Sequence, residues 1–272
     1  MSIRFSILAL TVSLFFSLNG FSADTQTDDN IVQKFQRSQG KNATCGAVNI
    51  NKTLVLIDKT DPLTDAQKAF VKASFIDNYE WNHIGDTFGI AVLNNSGVSL
   101  MKTETICAPM PLSLNNGLAN RARVKNFKEA LQQIFSNLTA DEPKASNSTL
   151  YEAVVEVYRN PTFKFLPSTE GRTLIIVSDL FQNSSNINFY SKCANGCASY
   201  ESSLKSDPNM KKYLDMANLK LSNNDTIKIY HLQSKCKIAG SLDKWWEGAF
   251  KSAGLSSSNL LIQHELAGDC PK

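Results

Sequence analysis

The sequence lacks a strong charge of either sign. Its 272 residues include 28 Lys and Arg against 25 Asp and Glu, a net charge of +3. Proteins that bind nucleic acid or anionic lipid through surface charge usually carry a much larger basic excess. Glycine and proline are also modest in number, at 13 and 8 residues, and 42% of the residues are hydrophobic. This composition excludes a collagen-like or disordered chain and predicts a globular protein with no nucleic-acid partner.

Several catalytic motifs are missing. The chain has no Gly-x-Ser-x-Gly elbow of a serine hydrolase, no Gly-x-Gly-x-x-Gly dinucleotide fingerprint and no phosphate-binding P-loop. A phosphatase of the haloacid dehalogenase type needs Asp-x-Asp after a buried strand. Here Asp58 is followed by Thr60, which cannot supply the second carboxylate as a general acid. We therefore expect a protein that is not an enzyme.

A single long apolar run is present, Phe5 to Leu18, directly after Arg4. It is shorter than the about 20 residues that a transmembrane helix needs and is typical of a secretory signal. The small residues Gly20 and Ser22 predict cleavage after Ser22 or, alternatively, after Ala23; an uncleaved anchor is the other interpretation. We predict a signal peptide over 1–23, a polar leader over 24–44, and one domain over 45–272. The mature protein would have no membrane span and would lie in the periplasm or outside the cell.

All six cysteines follow the predicted signal peptide. An even number of cysteines in an exported protein favours disulfides, although the sequence leaves their pairing open. The alternative is a zinc site built from Cys193, Cys197, Cys236 and His231. Export favours disulfides over that zinc site, because thiols are oxidised outside the cytoplasm. The cysteines are Cys45, Cys107, Cys193, Cys197, Cys236 and Cys270.

The hydrophobic pattern alternates between strand and helix periods along the chain. Thr64 lies three residues before Gln67, the spacing of a helix capping box, and a first helix should follow it. The order β-α-β-β-α-α-β-α-β-α-β predicts an α/β domain with a mostly parallel sheet. The remaining segments are strands at Thr53–Ile57, Thr87–Leu93, Val98–Ile106, Thr173–Val177, Thr226–Leu232 and Asn259–His264, and helices at Val124–Leu138, Thr149–Arg159, Tyr213–Leu219 and Leu242–Phe250.

Three short motifs and this order resemble a von Willebrand factor A (vWA) domain. The motifs are Asp58-Lys59-Thr60-Asp61-Pro62 after the first strand, Ser148-Thr149-Leu150-Tyr151-Glu152-Ala153 before a helix, and Val177-Ser178-Asp179 at the end of a later strand. The resemblance implies a doubly wound, six-stranded sheet of order 3-2-1-4-5-6 with helices on both faces. Strand 3 would be antiparallel at the edge. A crevice should then open above strands 1 and 4, where the strand order reverses.

The resemblance also implies a metal-ion-dependent adhesion site at this crevice. Asp58, Thr60, Thr149 and Asp179 match its ligand positions, and Mg²⁺, or Mn²⁺ or Ca²⁺, is the expected ion, because hard cations prefer oxygen ligands. Pro62 replaces a serine of the family pattern, so the site is degenerate. Asp61 either adds a ligand or begins the first helix with Pro62 behind it. In the alternative without a metal, the aspartates accept backbone N–H groups and Ser148 or Thr149 caps a helix.

The function implied by the resemblance is an exported, non-catalytic module that binds a protein partner at these loops. Two alternatives are a structural component of an envelope, secretion or conjugation assembly with a dead metal site, and an envelope hydrolase that uses Asp58 and Asp179. The implied fold also places the last four cysteines at one end of the sheet and the first two at the other. It therefore predicts the disulfide Cys45–Cys107 and leaves three pairings of the last four cysteines open. Among these, Cys193–Cys197 with Cys236–Cys270 is favoured, because Cys236 and Cys270 follow neighbouring strands by similar lengths.

Overall fold

The computed structural model describes 51–77, 87–93, 102–107, 117–140, 147–160, 163, 165, 171–193, 196–208, 210–211, 215–232 and 239–265. The predicted signal peptide with its cleavage at Ser22 or Ala23, and the predicted leader, lie outside these residues. So do the predicted disulfides Cys45–Cys107 and Cys236–Cys270, because Cys45, Cys236, Cys270 and the side chain of Cys107 are not described. These four predictions remain predictions.

The described residues form an α/β domain built on one sheet. Its five parallel strands stand in the order β2-β1-β4-β5-β6, and β3 pairs antiparallel with β2 at the edge. The α/β class with a mostly parallel sheet is therefore confirmed. The strands are β1 Lys52–Asp58, β2 Thr87–Leu93, β3 Lys102–Cys107, β4 Arg172–Ser178, β5 Asp225–His231 and β6 Leu260–His264.

The central strands are apolar on both faces because helices cover both sides of the sheet. Leu54 and Leu56 of β1 belong to one buried cluster, and Val55 and Ile57 belong to the other. Alternate residues of a strand point to opposite faces, so a strand buried between two layers needs an unbroken apolar run. The runs of β1 and β4 end at the same edge of the sheet, which brings the residues that follow them together.

The helices form two layers around the sheet. Helices α1 and α2 contribute to the cluster around Val55, and α3, α5 and α6 contribute to the cluster around Leu54. The helices are α1 Asp65–Val71, which continues as a π-helical turn over Lys72–Asp77, α2 Gly117–Ala140, α3 Leu150–Arg159, the short α4 Phe189–Lys192, α5 Tyr200–Ser206 and α6 Ala239–Ser252.

The start of α1 decides between the two interpretations of Asp61. Thr64 is the N-cap: its Oγ1 accepts a hydrogen bond from Gln67 N, and Gln67 Oε1 accepts one from Thr64 N. The predicted capping box is therefore confirmed, and the interpretation of Asp61 as the helix start is wrong. Two reciprocal bonds at Thr64 outweigh the local preference of Asp61-Pro62 for a helix N-terminus. Asp61 is exposed and precedes the helix.

Two predicted helices differ clearly from the structure. Helix α2 begins at Gly117 rather than Val124, because residues 117–123 carry a single large apolar side chain, the exposed Leu118, and therefore show no apolar stripe. The described part of the predicted helix Tyr213–Leu219 is a 3₁₀ turn, Met216–Leu219, whose N-cap is Asp215. The predicted start of strand 3 at Val98 lies outside the described residues, and the described part of this strand is Lys102–Cys107. Among the described residues, no helix combines the length and apolar character needed to cross a bilayer.

The disulfide Cys193–Cys197 is present, with a Cα–Cα distance of 4.2 Å. This pairing rules out the alternative zinc site, because neither sulfur is a thiolate. Trp245 and Trp246 are adjacent in α6 and are both buried, although neighbouring residues of a helix cannot share one face. The Trp245 ring packs edge-on against the Tyr200 ring of α5, with centroids 5.2 Å apart. Helix α5 therefore covers the side of α6 that does not face the sheet.

Candidate functional site

Asp58 ends β1 at the carboxyl edge of the sheet and is 5% exposed. Its Oδ1 accepts hydrogen bonds from Thr60 N at 3.1 Å and Thr60 Oγ1 at 2.7 Å. Its Oδ2 accepts from Ser148 Oγ at 3.1 Å and Ser178 Oγ at 2.9 Å. One carboxylate thus joins the segment after β1, the segment before α3 and the end of β4.

Burial has a larger effect on Asp58 than these four donors. Loss of solvent raises the pKa of the Asp58 carboxyl, and the hydrogen bonds from Thr60, Ser178 and Ser148 lower it only in part. The pKa therefore remains above its ordinary value. A positive charge placed next to Asp58 would therefore stabilise the ionised form of its carboxyl group.

Asp179 follows β4 and lies in a tightly held turn. Its Oδ1 accepts a hydrogen bond from Phe181 N at 3.0 Å. The next residue, Leu180, has a φ of 63°, a left-handed conformation that costs a non-glycine residue about 1 kcal/mol or more. The turn is held by Leu180 N donating to Ser178 Oγ at 2.8 Å and Trp246 Nε1 donating to the Leu180 carbonyl at 3.2 Å. The packing thus imposes a strained backbone beside Asp179.

Thr149 occupies the N-cap position of α3, yet its side chain makes no capping bond. The Tyr151 N–H donates instead to Gln182 Oε1 at 2.7 Å, so a glutamine from the loop after β4 caps this helix. Thr149 Oγ1 is buried and finds no hydrogen-bond partner within the described part of the chain. The metal-free alternative is therefore confirmed in that Asp58 and Asp179 accept backbone N–H groups, and it is wrong in that neither Ser148 nor Thr149 caps the helix through its side chain. Ser148 binds Asp58, and the Thr149 hydroxyl is left unsatisfied.

A cleft of about 280 Å³ opens at this edge of the sheet. Asp58, Thr60, Asp61 and Asp179 line it together with residues of the α1 N-terminus and Leu232 after β5. The structure thus brings together four of the five predicted site residues. The fifth, Thr149, is the chain neighbour of Ser148, which contacts Asp58. Pro62 also lines the cleft and offers no side-chain donor or acceptor.

Tyr190 in α4 lies near the carboxylates of this cleft. Partial burial raises the pKa of its phenol, and the charges of Asp179, Asp61 and Asp58 raise it further, in that order. Its side chain nevertheless remains 47% exposed, and its ring packs on Phe181 with centroids 5.0 Å apart. An exposed aromatic side chain therefore lies within electrostatic reach of three acidic groups.

Sequence reasoning missed three residues of this site, the serines Ser148 and Ser178 and the aromatic Tyr190. Both serines lie inside the motifs that resemble a vWA domain: Ser148 precedes Thr149, and Ser178 precedes Asp179. These positions could have indicated that their hydroxyls donate to Asp58. Tyr190 had no such sequence indication, because its position depends on the turn after Asp179.

The donor set fits a hard divalent cation. Carboxylate and hydroxyl oxygens are the ligands that Mg²⁺ and Mn²⁺ take up, and the buried Thr149 hydroxyl has no hydrogen-bond partner in the described part of the chain. A buried polar atom without a partner is rare in native proteins and calls for an explanation. A cation held by Asp58, Thr60, Thr149 and Asp179 would supply one.

The fold is vWA-like. The crevice between β1 and β4, the buried aspartate after β1, the Ser-Thr pair before α3 and the aspartate after β4 all lie where the resemblance implied them.

Comparison with known proteins gives remote similarity alone. No protein-family model matches the sequence, and no curated protein matches it. The chain is similar to the manganese-loaded TRAP protein of Plasmodium vivax, with 10% identity, a TM-score of 0.32, and coverage of 80% of this chain and 69% of that one. It is also similar to the human COPII-coat protein Sec24c, with 8% identity and a TM-score of 0.36. That match covers 84% of this chain and 31% of the Sec24c chain.

Proposed function

We propose that this protein is an exported, non-catalytic binding module of vWA type. Its cleft above β1 and β4 engages a protein partner through a divalent cation. The single observation that carries the proposal is the buried Thr149 hydroxyl, which has no hydrogen-bond partner among the described residues and belongs to the chain neighbour of Ser148, a donor to Asp58. Mg²⁺ or Mn²⁺ is the proposed ion.

Asp58, Thr60, Thr149 and Asp179 would hold this cation, and Asp61 stands at the rim of the same cleft. The ion would supply a positive charge with a coordination position open to a carboxylate of the partner. The raised pKa of Asp58 supports the proposal, because a nearby cation offsets the cost of keeping this buried carboxylate ionised. The strained Leu180 backbone supports it as well, since such strain concentrates at functional sites.

Tyr190 supports the choice of a protein partner. Tyrosine is enriched at protein interfaces, because its ring buries apolar area and its hydroxyl still forms a hydrogen bond. An exposed tyrosine among acidic groups offers both an apolar contact and a polar one. The partner would therefore carry an acidic side chain for the cation and an apolar side chain for the Tyr190 ring.

Export is part of the proposal. The disulfide Cys193–Cys197 supports an oxidising compartment such as the periplasm or the cell exterior, because cytosolic proteins rarely keep structural disulfides. The apolar run Phe5–Leu18 would supply the signal.

The test is retention of a partner by the immobilised mature protein in Mg²⁺ buffer and in chelator. Wild type is compared with Asp179→Asn and Tyr190→Ala. Leu261→Ala is the matched control, because its side chain is also exposed, at 46%, but lies on β6. The proposal expects a partner held by wild type and Leu261→Ala in Mg²⁺ and lost from the other two variants and in chelator.

The same experiment distinguishes the proposed function from the alternative, a structural component with a dead metal site. Such a component would hold its partner equally well in chelator and with Asp179→Asn. A partner retained by every variant under both conditions would contradict the proposal.

A further inference from the structure

A second group of metal-binding side chains lies outside the cleft, at the ends of β5 and β6. His231 ends β5 and His264 ends β6, and the two residues are direct partners in the register of the parallel strands. Their side chains therefore leave the same face of the sheet, with ring centroids 5.1 Å apart. Asp243, on α6, approaches both rings.

Asp243 lies close enough to both imidazoles to share a ligand with them. Its Oδ1 is 2.7 Å from His231 Nδ1, and its Oδ2 is 3.2 Å from His264 Nε2. One potential donor atom from each of the three residues lies within 4.8 Å of the others. The three side chains differ in solvent exposure: His231 is 2% exposed, Asp243 17% and His264 40%.

We propose that His231, Asp243 and His264 form a Zn²⁺ site. Two imidazole nitrogens and one carboxylate suit zinc and neighbouring transition metals, whereas Mg²⁺ and Ca²⁺ take oxygen ligands. Tetrahedral zinc with bonds of about 2.0–2.2 Å holds its donors about 3.3–3.6 Å apart. The longest separation, within 4.8 Å, therefore has to shorten by at most about 1.5 Å, and the 2.7 Å contact of Asp243 Oδ1 with His231 Nδ1 has to lengthen by about 0.6 Å. We expect the His264 ring to make the larger adjustment, because its side chain is 40% exposed.

The exposure of His264 leaves the fourth coordination position accessible. Three protein ligands with an open position are the arrangement in which zinc binds water or a group from another molecule. The site would also join β5, β6 and α6, because each contributes one ligand. Zinc bound to the native state alone stabilises it by RT ln(1 + c/Kd), where c is the free zinc concentration, so the stability rises with the logarithm of that concentration.

The test is zinc titration against a competing chromophoric chelator, with Co²⁺ absorbance as a second readout of tetrahedral coordination. The variants are His264→Ala and Asp243→Asn, which avoid truncating the buried His231. The control is His83→Ala, which removes the third histidine of the chain. Loss of one ligand should weaken zinc binding by more than the about 10–100-fold that loss of an outer-shell partner costs.

Wild type and His83→Ala should bind one Zn²⁺, show the Co²⁺ bands and gain thermal stability with zinc, and the two site variants should lose all three responses. Absence of zinc binding in wild type, or equal binding by His264→Ala, would overturn the proposal and leave Asp243 as a hydrogen-bond partner of two histidines. Thr149→Val should leave zinc binding unchanged, so this site and the proposed Mg²⁺ site succeed or fail separately.

Discussion

Replacing Asp225 should destabilise the domain strongly without touching the cleft. Asp225 begins β5 and pairs with Arg172, which begins β4, at the sheet edge opposite the cleft. Both side chains are almost fully buried, and Arg172 Nε and Nη2 lie 2.5 and 2.8 Å from the two carboxylate oxygens. Asp225 Oδ2 also accepts hydrogen bonds from Ser222 N and Oγ.

The Asp225→Ala variant leaves the guanidinium buried with its remaining contacts, the Phe165 carbonyl at 3.2 Å and the face of the Tyr158 ring at 4.8 Å. Breaking a buried pair in this way costs about 3–5 kcal/mol. For a domain of this size that corresponds to a melting temperature lower by about 6–20 °C.

Urea denaturation with comparison of m-values measures this loss. The matched control is Glu129→Ala, which breaks the exposed pair with Lys125 on α2 and should cost less than about 1 kcal/mol. The double variant Arg172→Met with Asp225→Ala should be less destabilised than Asp225→Ala alone, because no unpaired charge stays buried. A loss below about 1 kcal/mol for Asp225→Ala, equal to that of the control, would refute this reasoning.

Four further stability changes follow from local geometry, each measured by the same denaturation. Thr64→Ala removes the N-cap of α1 and should cost about 1 kcal/mol. Gly254→Ala should cost about 1–3 kcal/mol, because φ is 99° there and a Cβ would lie 2.9 Å from a backbone carbonyl oxygen. Gly240→Ala has no atom within 4 Å of the new Cβ and should change stability by a gain of up to about 1 kcal/mol. Replacing Cys193 and Cys197 by serine removes a disulfide that closes a small loop and should cost about 2 kcal/mol. Wild-type stability in any of the three destabilising variants would count against the explanation given for that variant.

The strands were predictable because their sequence pattern has one physical cause. Thr53–Ile57 and Thr173–Val177 are unbroken runs that lack the periodicity of a helix. Such a run is typical of a strand that is covered on both faces of the sheet. The carboxyl ends of parallel strands share one edge, so Asp58 and Asp179 were expected near each other, and both line the cleft. The capping box at Thr64 was equally readable, because both of its bonds are local.

What the sequence could not show depends on contacts between distant segments. Gln182 caps α3 from another loop, which no local rule can predict, and this contact releases the Thr149 hydroxyl from capping. His231, Asp243 and His264 come from three separate elements. The positions of the two histidines at the ends of the last two strands were visible, but their pairing required the register of β5 and β6.

Titration of Mn²⁺ into wild type and Thr149→Val, followed by calorimetry, tests the proposed cation site most directly. Thr149→Val replaces a buried hydroxyl that has no hydrogen-bond partner among the described residues with a methyl group of the same shape. Without metal the variant should therefore keep its stability or gain about 1 kcal/mol. Wild type should bind one Mn²⁺, and Thr149→Val, folded and no less stable, should bind it at least tenfold more weakly, about 1.4 kcal/mol. No binding heat in wild type, or equal affinity in the two proteins, would contradict it.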